Sequence, residues 1–277
     1  GRVVTRRDKH SLDFWDLTRA ENEAPVKAAD FGHGPAEVDF MGQLSAEEIF
    51  VGWRGGAVWV WNVHSGERVK NINIGGTSFL CSMGEGWALQ VPMNYHCDKG
   101  CVKWNFLTGE SVPCAGPLGA GGFAPASGVL SAAVSLELLV IACGSRVQVY
   151  DLQTGVLERG LVTASDDRVW EICAAGRFVV LYGREFYSVR VWDMLSGEYV
   201  GMFEDRCSGG SMSIAAWESN DGSLRIAVAG VRLYGQFKHQ PGVLVWEVDV
   251  ESGNATCAWS LLGDLRCMRG LQAMLGN

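Results

Sequence analysis

Residues 188–200 read Ser-Val-Arg-Val-Trp-Asp-Met-Leu-Ser-Gly-Glu-Tyr-Val: a short apolar run closed by Trp192-Asp193, then a Ser-Gly pair. The pattern returns as VWVWNVHSGERV from Val58, CVKWNFLTGESV from Cys101, RVQVYDLQTGVLE from Arg146 and VLVWEVDVESGNA from Val243. SLDFWDL from Ser11 is a shorter copy without the turn. The anchors are Trp15, Trp61, Trp104, Tyr150, Trp192 and Trp246, spaced by 46, 43, 46, 42 and 54 residues. Val-rich runs favour strands. The Gly of Ser65-Gly66, Thr108-Gly109, Thr154-Gly155, Ser196-Gly197 and Ser252-Gly253 can take the positive φ that a tight reversal demands.

A repeat of this length marks propeller blades. The second copy shows how one is built. Pro25 to Asp30 reads as a strand, Phe31-Gly32-His33-Gly34-Pro35 as a loop, Ala36 to Phe40 as a strand and Gln43 to Glu47 as a turn. Ile49 to Trp53 and Ala57 to Val63 then flank a tight Arg54-Gly55-Gly56 hairpin. In the last run Val58 and Val60 face one way and Trp59 and Trp61 the other. A strand apolar on both faces must be covered on both, which neighbouring blades accomplish and a lone blade cannot. The anchor Trp fills the gap between blades, and its indole N–H needs a partner there.

These residues resemble the WD-repeat family, in six copies over almost the whole chain. The resemblance implies four-stranded antiparallel blades around a central channel. The family's Gly-His pair is matched by Gly32-His33 alone, and its hairpin Asp best by Asp8, in the Thr5, Asp8 and Trp15 arrangement. The polar network of regular members is therefore incomplete in every blade.

Strand counting extends the expectation to closure. Only two strands, Val3 to Arg6 and Ser11 to Leu17, precede the outer strand of the first blade. After Trp246 come an outer strand, Ala255 to Leu262, and one further segment, Leu265 to Met274. The expected fold is all-β, a six-bladed β-propeller of four-stranded antiparallel blades. It is a single domain over residues 1–277, in which segment 265–274 pairs with N-terminal strands 3–17. A seven-bladed or truncated propeller is the architectural alternative, and LRCMRGLQAML could instead form a short helix.

Composition bounds the function. The chain has 277 residues, 48% hydrophobic and 19% charged, with 36 Gly and only 7 Pro. This is the balance of many tight hairpins rather than of a disordered linker. A net charge of -8 and a pI of about 5.2 disfavour general nucleic-acid binding. Arg6-Arg7-Asp8-Lys9, the densest basic stretch, reads as a solvated hairpin tip. The N-terminal GRVVTRRDKH has no apolar leader segment, and no run of about 18 apolar residues exists. With nine Cys, an odd number, free thiols and an intracellular (cytoplasmic or nuclear) location are expected, with no membrane partner. Asn254-Ala255-Thr256 matches a glycosylation acceptor only by chance on this reading.

No catalytic set emerges. His96-Cys97-Asp98-Lys99-Gly100-Cys101 gathers soft ligands, but a structural zinc site needs a second pair and none follows at a usual spacing. It reads as a hairpin turn whose Cys101 begins a strand. Cys81, Cys143, Cys173 and Cys267 lie in apolar contexts and read as core. No phosphate-binding loop, zinc-protease helix, dinucleotide fingerprint or G-x-S-x-G elbow is present. Gly119-Ala120-Gly121-Gly122 reads as a flexible loop, and Asp166-Asp167 as solvated acids. No enzyme, metal or cofactor is expected.

Binding belongs on loops held by a rigid scaffold. The face implied by the family carries outer-to-inner connections and the hairpins before the Trp strands. Two of those hairpins stand out. Arg184, Phe186 and Tyr187 lie in the first. Tyr234, Phe237 and His239 lie in the second, the Arg232 to Pro241 insertion that lengthens the last gap. Arg54, Tyr95, Asp98, Asp167 and Arg168 are expected on the same face. Aromatics and Arg are the types enriched at binding hot spots. The expected function is a non-catalytic scaffold for a protein or peptide partner. A substrate-receptor module of a ubiquitin ligase and a propeller enzyme using the channel are the alternatives.

Overall fold

The computed structural model describes residues 2–6, 11–16, 26–33, 38–53, 55–75, 78–92, 100–115, 131–162, 169–183, 188–204, 213–219, 222–234, 238–262 and 271–274. These form twenty-four strands, with no helix among the described residues. The strands assemble into successive four-stranded antiparallel sheets. The second holds β4 (Val38–Gln43), β5 (Glu48–Trp53), β6 (Ala57–Asn62) and β7 (Arg68–Asn73). The third holds β8 (Ser78–Gly84), β9 (Trp87–Pro92), β10 (Val102–Asn105) and β11 (Ser111–Pro113). The fourth comprises β12 (Ser131–Ser135), β13 (Leu138–Cys143), β14 (Arg146–Asp151) and β15 (Leu157–Val162). The fifth comprises β16 (Val169–Ala175), β17 (Phe178–Gly183), β18 (Ser188–Asp193) and β19 (Tyr199–Glu204). The sixth comprises β20 (Ser213–Glu218), β21 (Leu224–Tyr234), β22 (Lys238–Asp249) and β23 (Asn254–Leu262).

The first sheet draws on both ends of the chain. β1 (Arg2–Arg6), β2 (Ser11–Asp16) and β3 (Val26–His33) follow one another, and β24 (Leu271–Met274) pairs antiparallel with β1, Arg2 opposite Met274. β24 also neighbours β20 and β4. The arrangement is all-β and propeller-like.

The segment 271–274 is a strand rather than the short helix offered as the alternative. One local reading is corrected. Phe31-Gly32-His33 continues β3, with His33 opposite Ser11, because the ladder with β2 extends that far. Gly32-His33 therefore ends an outer strand. In the Arg232–Pro241 hairpin insertion, β21 and β22 extend as a ladder as far as Leu233 opposite His239 and Tyr234 opposite Lys238.

The period-two alternation sorts side chains between sheets. In β17 every residue is buried. Val179 and Leu181 join Val140, Ala142 and Val149 of the fourth sheet. Val180 and Tyr182 join Ile226 and Val228 of the sixth. β6 behaves likewise: Val58 and Val60 meet Leu80, Ala88 and Phe106 of the third sheet, whereas Trp59 and Trp61 pack on the opposite face with Val38 and Trp53. From the second sheet to the sixth, successive sheets thus supply apolar cover to one another. At about 25 cal/mol per Å2 of apolar area, these intersheet layers supply the main favourable term.

Candidate interaction face

Two rims result from this strand order. One carries the β5–β6, β13–β14 and β17–β18 hairpins, together with the entries to the first strands of the sheets. The other carries the turns that follow the anchors.

The anchor rim is built by one repeated device. Asn62, Asn105, Asp151, Asp193 and Asp249 each accept, through one side-chain oxygen, the amides two and three residues ahead. The following Ser or Thr hydroxyl then accepts an amide two residues further on. The next Gly donates its N–H back to the Asn or Asp carbonyl, as Gly197 does to Asp193 at 2.8 Å. Gly197 has φ 80°, a conformation a Cβ would strain. These side chains are therefore engaged in turn construction. The hydrogen bonds from Thr154 hold the Asp151 carboxyl below its ordinary range, and those from Ser252 do the same for Asp249. In the sixth sheet the turn begins at Asp249, three residues after Trp246 rather than one. The sequence reading recognised the Trp192-Asp193 ending and the Ser/Thr-Gly pair but did not assign the Asn or Asp three residues before each Ser or Thr as the acceptor that closes the turn.

The anchors themselves are unequal. Trp61 and Trp192 are buried, and Trp104, Tyr150 and Trp246 are partly buried. Trp104 donates its indole N–H to Gln90 Oε1 at 2.8 Å. The buried Trp53 indole N–H has no hydrogen-bond partner among the described residues. Asp193 is buried and meets Arg177 Nε at 3.0 Å.

The hairpin rim offers a different chemistry. β16 opposes β17 with a bulge, Val169 pairing with Gly183 and Glu171 with Tyr182, so Trp170 is the extra residue. Trp170 is 45% exposed. Asp39 is the extra residue of the equivalent bulge in β4 and is also exposed. Bulges re-aim side chains, and this pair is directed by that means at the same end of two first strands. Arg146, at the start of β14, adds an exposed cation on this rim.

Beneath the rim the first strands are stitched together. Glu171 Oε1 accepts the Ser213 hydroxyl of β20 at 2.7 Å. The Ile214 amide bonds the same carboxyl, but burial outweighs both and pushes its pKa up to about 7. Ser131 Oγ of β12 accepts the Ile172 amide at 3.1 Å. Ser82 of β8 donates to the Gln43 carbonyl of β4. Ser135 donates to the Gly176 carbonyl at 2.7 Å.

Of the residues expected to bind, Arg54, Tyr95, Asp98, Asp167, Arg168, Arg184, Phe186, Tyr187 and Phe237 lie outside the described residues. Tyr234 and His239 are placed at the tip of the β21–β22 ladder. Trp170 escaped the sequence reading because VWEICAA reads as an ordinary apolar strand; a bulge leaves no local mark. His96 and Cys97 also lie outside the described residues, and no group of three metal-ligating side chains occurs among those described. Cys81 and Cys143 are buried as expected, their thiols pushed up to about 12 and about 11 by burial. Cys173 is partly buried, and burial raises its thiol strongly, with the neighbouring Glu171 charge adding to the effect. Cys267 is outside the described residues.

No family model matches the chain. No curated protein matches it either. Solved structures do. A chain from the crystal structure of the mitotic checkpoint complex superposes with a TM-score of 0.58 at 12% identity, covering 94% of this chain and 74% of that one. The crystal structure of the computationally designed Ika8 protein superposes with a TM-score of 0.56 at 16% identity, covering 95% and 84%. At these identities the likeness is one of fold.

Proposed function

We propose that this chain is a divergent WD-repeat propeller, six blades closed as one domain by the β24–β1 pairing, that serves as a non-catalytic scaffold. Its partner is a protein or peptide held on the hairpin rim. The observation that carries this reading is Trp170, a large aromatic left 45% exposed by a bulge at the entry of a first strand. Val169, its neighbour in sequence, pairs with Gly183 at the end of β17, so the bulge stands at the edge of the fifth sheet's ladder. An exposed Trp re-aimed by a bulge at the end of a rigid sheet has the character of a hot spot. The opposite rim is a weaker candidate, since its Asn and Asp side chains are committed to their own turns.

The experiment is comparative capture. The tagged chain and a Trp170→Ala variant are used as bait, with bound proteins identified by mass spectrometry and the leading one measured by calorimetry. The expected result is a loss of affinity of about tenfold or more, with an unchanged melting curve. Phe186→Ala with Phe237→Ala tests the neighbouring hairpin tips in the same way. Unchanged affinity in both variants removes the hairpin rim as the binding surface.

A further inference from the structure

Four thiols converge between the third and fourth sheets: Cys81, Cys101, Cys114 and Cys143 occupy one apolar cluster. They are free. Two of them stand in a special relation. The ladder of β10 and β11 places Val102 opposite Pro113, so the next rung sets Cys101 opposite Cys114. The Cys114 amide donates to the Cys101 carbonyl at 2.9 Å, which makes this rung a hydrogen-bonded pair. Cα atoms in such a pair lie about 5.5 Å apart, with both side chains on the same face of the sheet. Disulfides most often join Cα atoms about 5.5–6 Å apart.

The other thiols fit less well. Cys81 is opposite Leu89, and β9 stands between β8 and β10, so two strand spacings separate Cys81 from Cys101. At about 4.8 Å per spacing that exceeds the reach of a disulfide. Cys143 belongs to the facing sheet, with no backbone pairing to hold it at a fixed distance.

We propose that Cys101 and Cys114 are a reversible dithiol–disulfide pair that staples the outer edge of the third sheet, oxidised by exchange with a small-molecule disulfide. The Cys114 thiolate attacks one sulfur of glutathione disulfide, forming a mixed disulfide and releasing one glutathione. The Cys101 thiolate then attacks Cys114 Sγ, forming the Cys101–Cys114 bond and releasing the second glutathione. Two protein thiols are oxidised, one glutathione disulfide is reduced to two glutathiones, and the two thiol protons leave with them. Cys114 reacts first because it follows β11, a three-residue edge strand whose side chains are all exposed. Pro113 has no amide hydrogen to give the ladder, so this edge opens more readily than the inner strands. Burial raises both thiols, and Lys103 partly offsets this at Cys114 alone. The exchange is therefore slow and gated by opening of the edge.

The full chain is equilibrated in glutathione buffers from reducing to oxidising, alkylated, and digested without reduction. Trypsin with a glutamate-specific protease puts Cys81, Cys97, Cys101, Cys114 and Cys143 on separate peptides, by cuts at Glu85, Lys99, Lys103, Glu110 and Glu137. The expected product is the Cys101–Cys114 linked pair, reversed on return to reducing buffer. It should persist in Cys81→Ser and Cys143→Ser, vanish in Cys114→Ser, and raise Tm by roughly 5 °C or less. The inference is overturned if both thiols stay free across the series, if only glutathione adducts form, or if Cys101 links predominantly to Cys97, Cys81 or Cys143. A failure of Cys114→Ser to fold leaves the wild-type mapping decisive.

Discussion

Glu171 of β16 accepts a hydrogen bond from Ser213 of β20, 42 residues further along the chain, at 2.7 Å. It is a side-chain link between the first strands of the fifth and sixth sheets, and its acceptor is a carboxyl that burial has moved up to about 7.

That shift carries a pH dependence. Folded Glu171 holds its proton up to about pH 7, whereas the unfolded chain releases it near the ordinary value of 4.5. Between those values the folded state binds more protons, so this group's contribution to stability falls as pH rises, then levels off above 7. Glu171→Gln keeps an oxygen for Ser213 and removes the ionisation. Urea unfolding from pH 4.5 to 8 should show the variant losing less stability than wild type across that window. Parallel curves would remove Glu171 as the source.

Asp193 differs from its counterparts in being buried against Arg177 while also accepting the amides of Leu195 and Ser196. Asp193→Ala should cost about 2 kcal/mol, from the lost turn acceptor and the unsatisfied amides. Asp193→Asn, which keeps the acceptor, should cost less than half as much, since Arg177 itself is largely solvated. Chemical denaturation of the two variants measures the difference.

Gly201 in β19 lies against the last turn of the sixth sheet. A Cβ there falls 2.6 Å from the Gly253 carbonyl oxygen, which is backbone and cannot swing aside. Gly201→Ala should destabilise by about 1–3 kcal/mol. Gly160, in the equivalent outer strand of the fourth sheet, has its nearest contact at 3.9 Å, and Gly160→Ala should be near neutral. Thermal melts of the pair test whether the fifth and sixth sheets are packed as closely as described.

Ser131 is a buried hydroxyl whose oxygen receives the Ile172 amide of the next sheet. Ser131→Ala strands that amide in a buried site and should cost about 1–3 kcal/mol. Hydrogen exchange at Ile172 should quicken in the variant; unchanged protection would show that the amide has another acceptor.

The repeat, the strand runs and the anchor turns were legible because each is written within about a dozen residues. Alternation decides a strand's two faces, and an Asn or Asp ahead of Ser/Thr-Gly decides a turn, through contacts that the chain makes with itself nearby. Alternation alone assigned both faces of β6, and the Ser196-Gly197 pair alone marked the turn at Gly197, without knowledge of any neighbour.

What only the tertiary structure decided are the relations between sheets and the departures from regular pairing. Residues 169–175 give no sign that Trp170 is the extra residue of a bulge, because register depends on which β17 residue faces Val169. Cys101 and Cys114 lie 13 residues apart in the sequence, and only one ladder makes them opposite partners. Glu171 reads as a polar position on a strand, and only the packing of β20 against β16 encloses it and gives it Ser213. Local sequence sets backbone conformation and polarity, which are short-range properties. Enclosure, and with it the shifted carboxyl and the exposed indole, depends on which distant sheet arrives alongside.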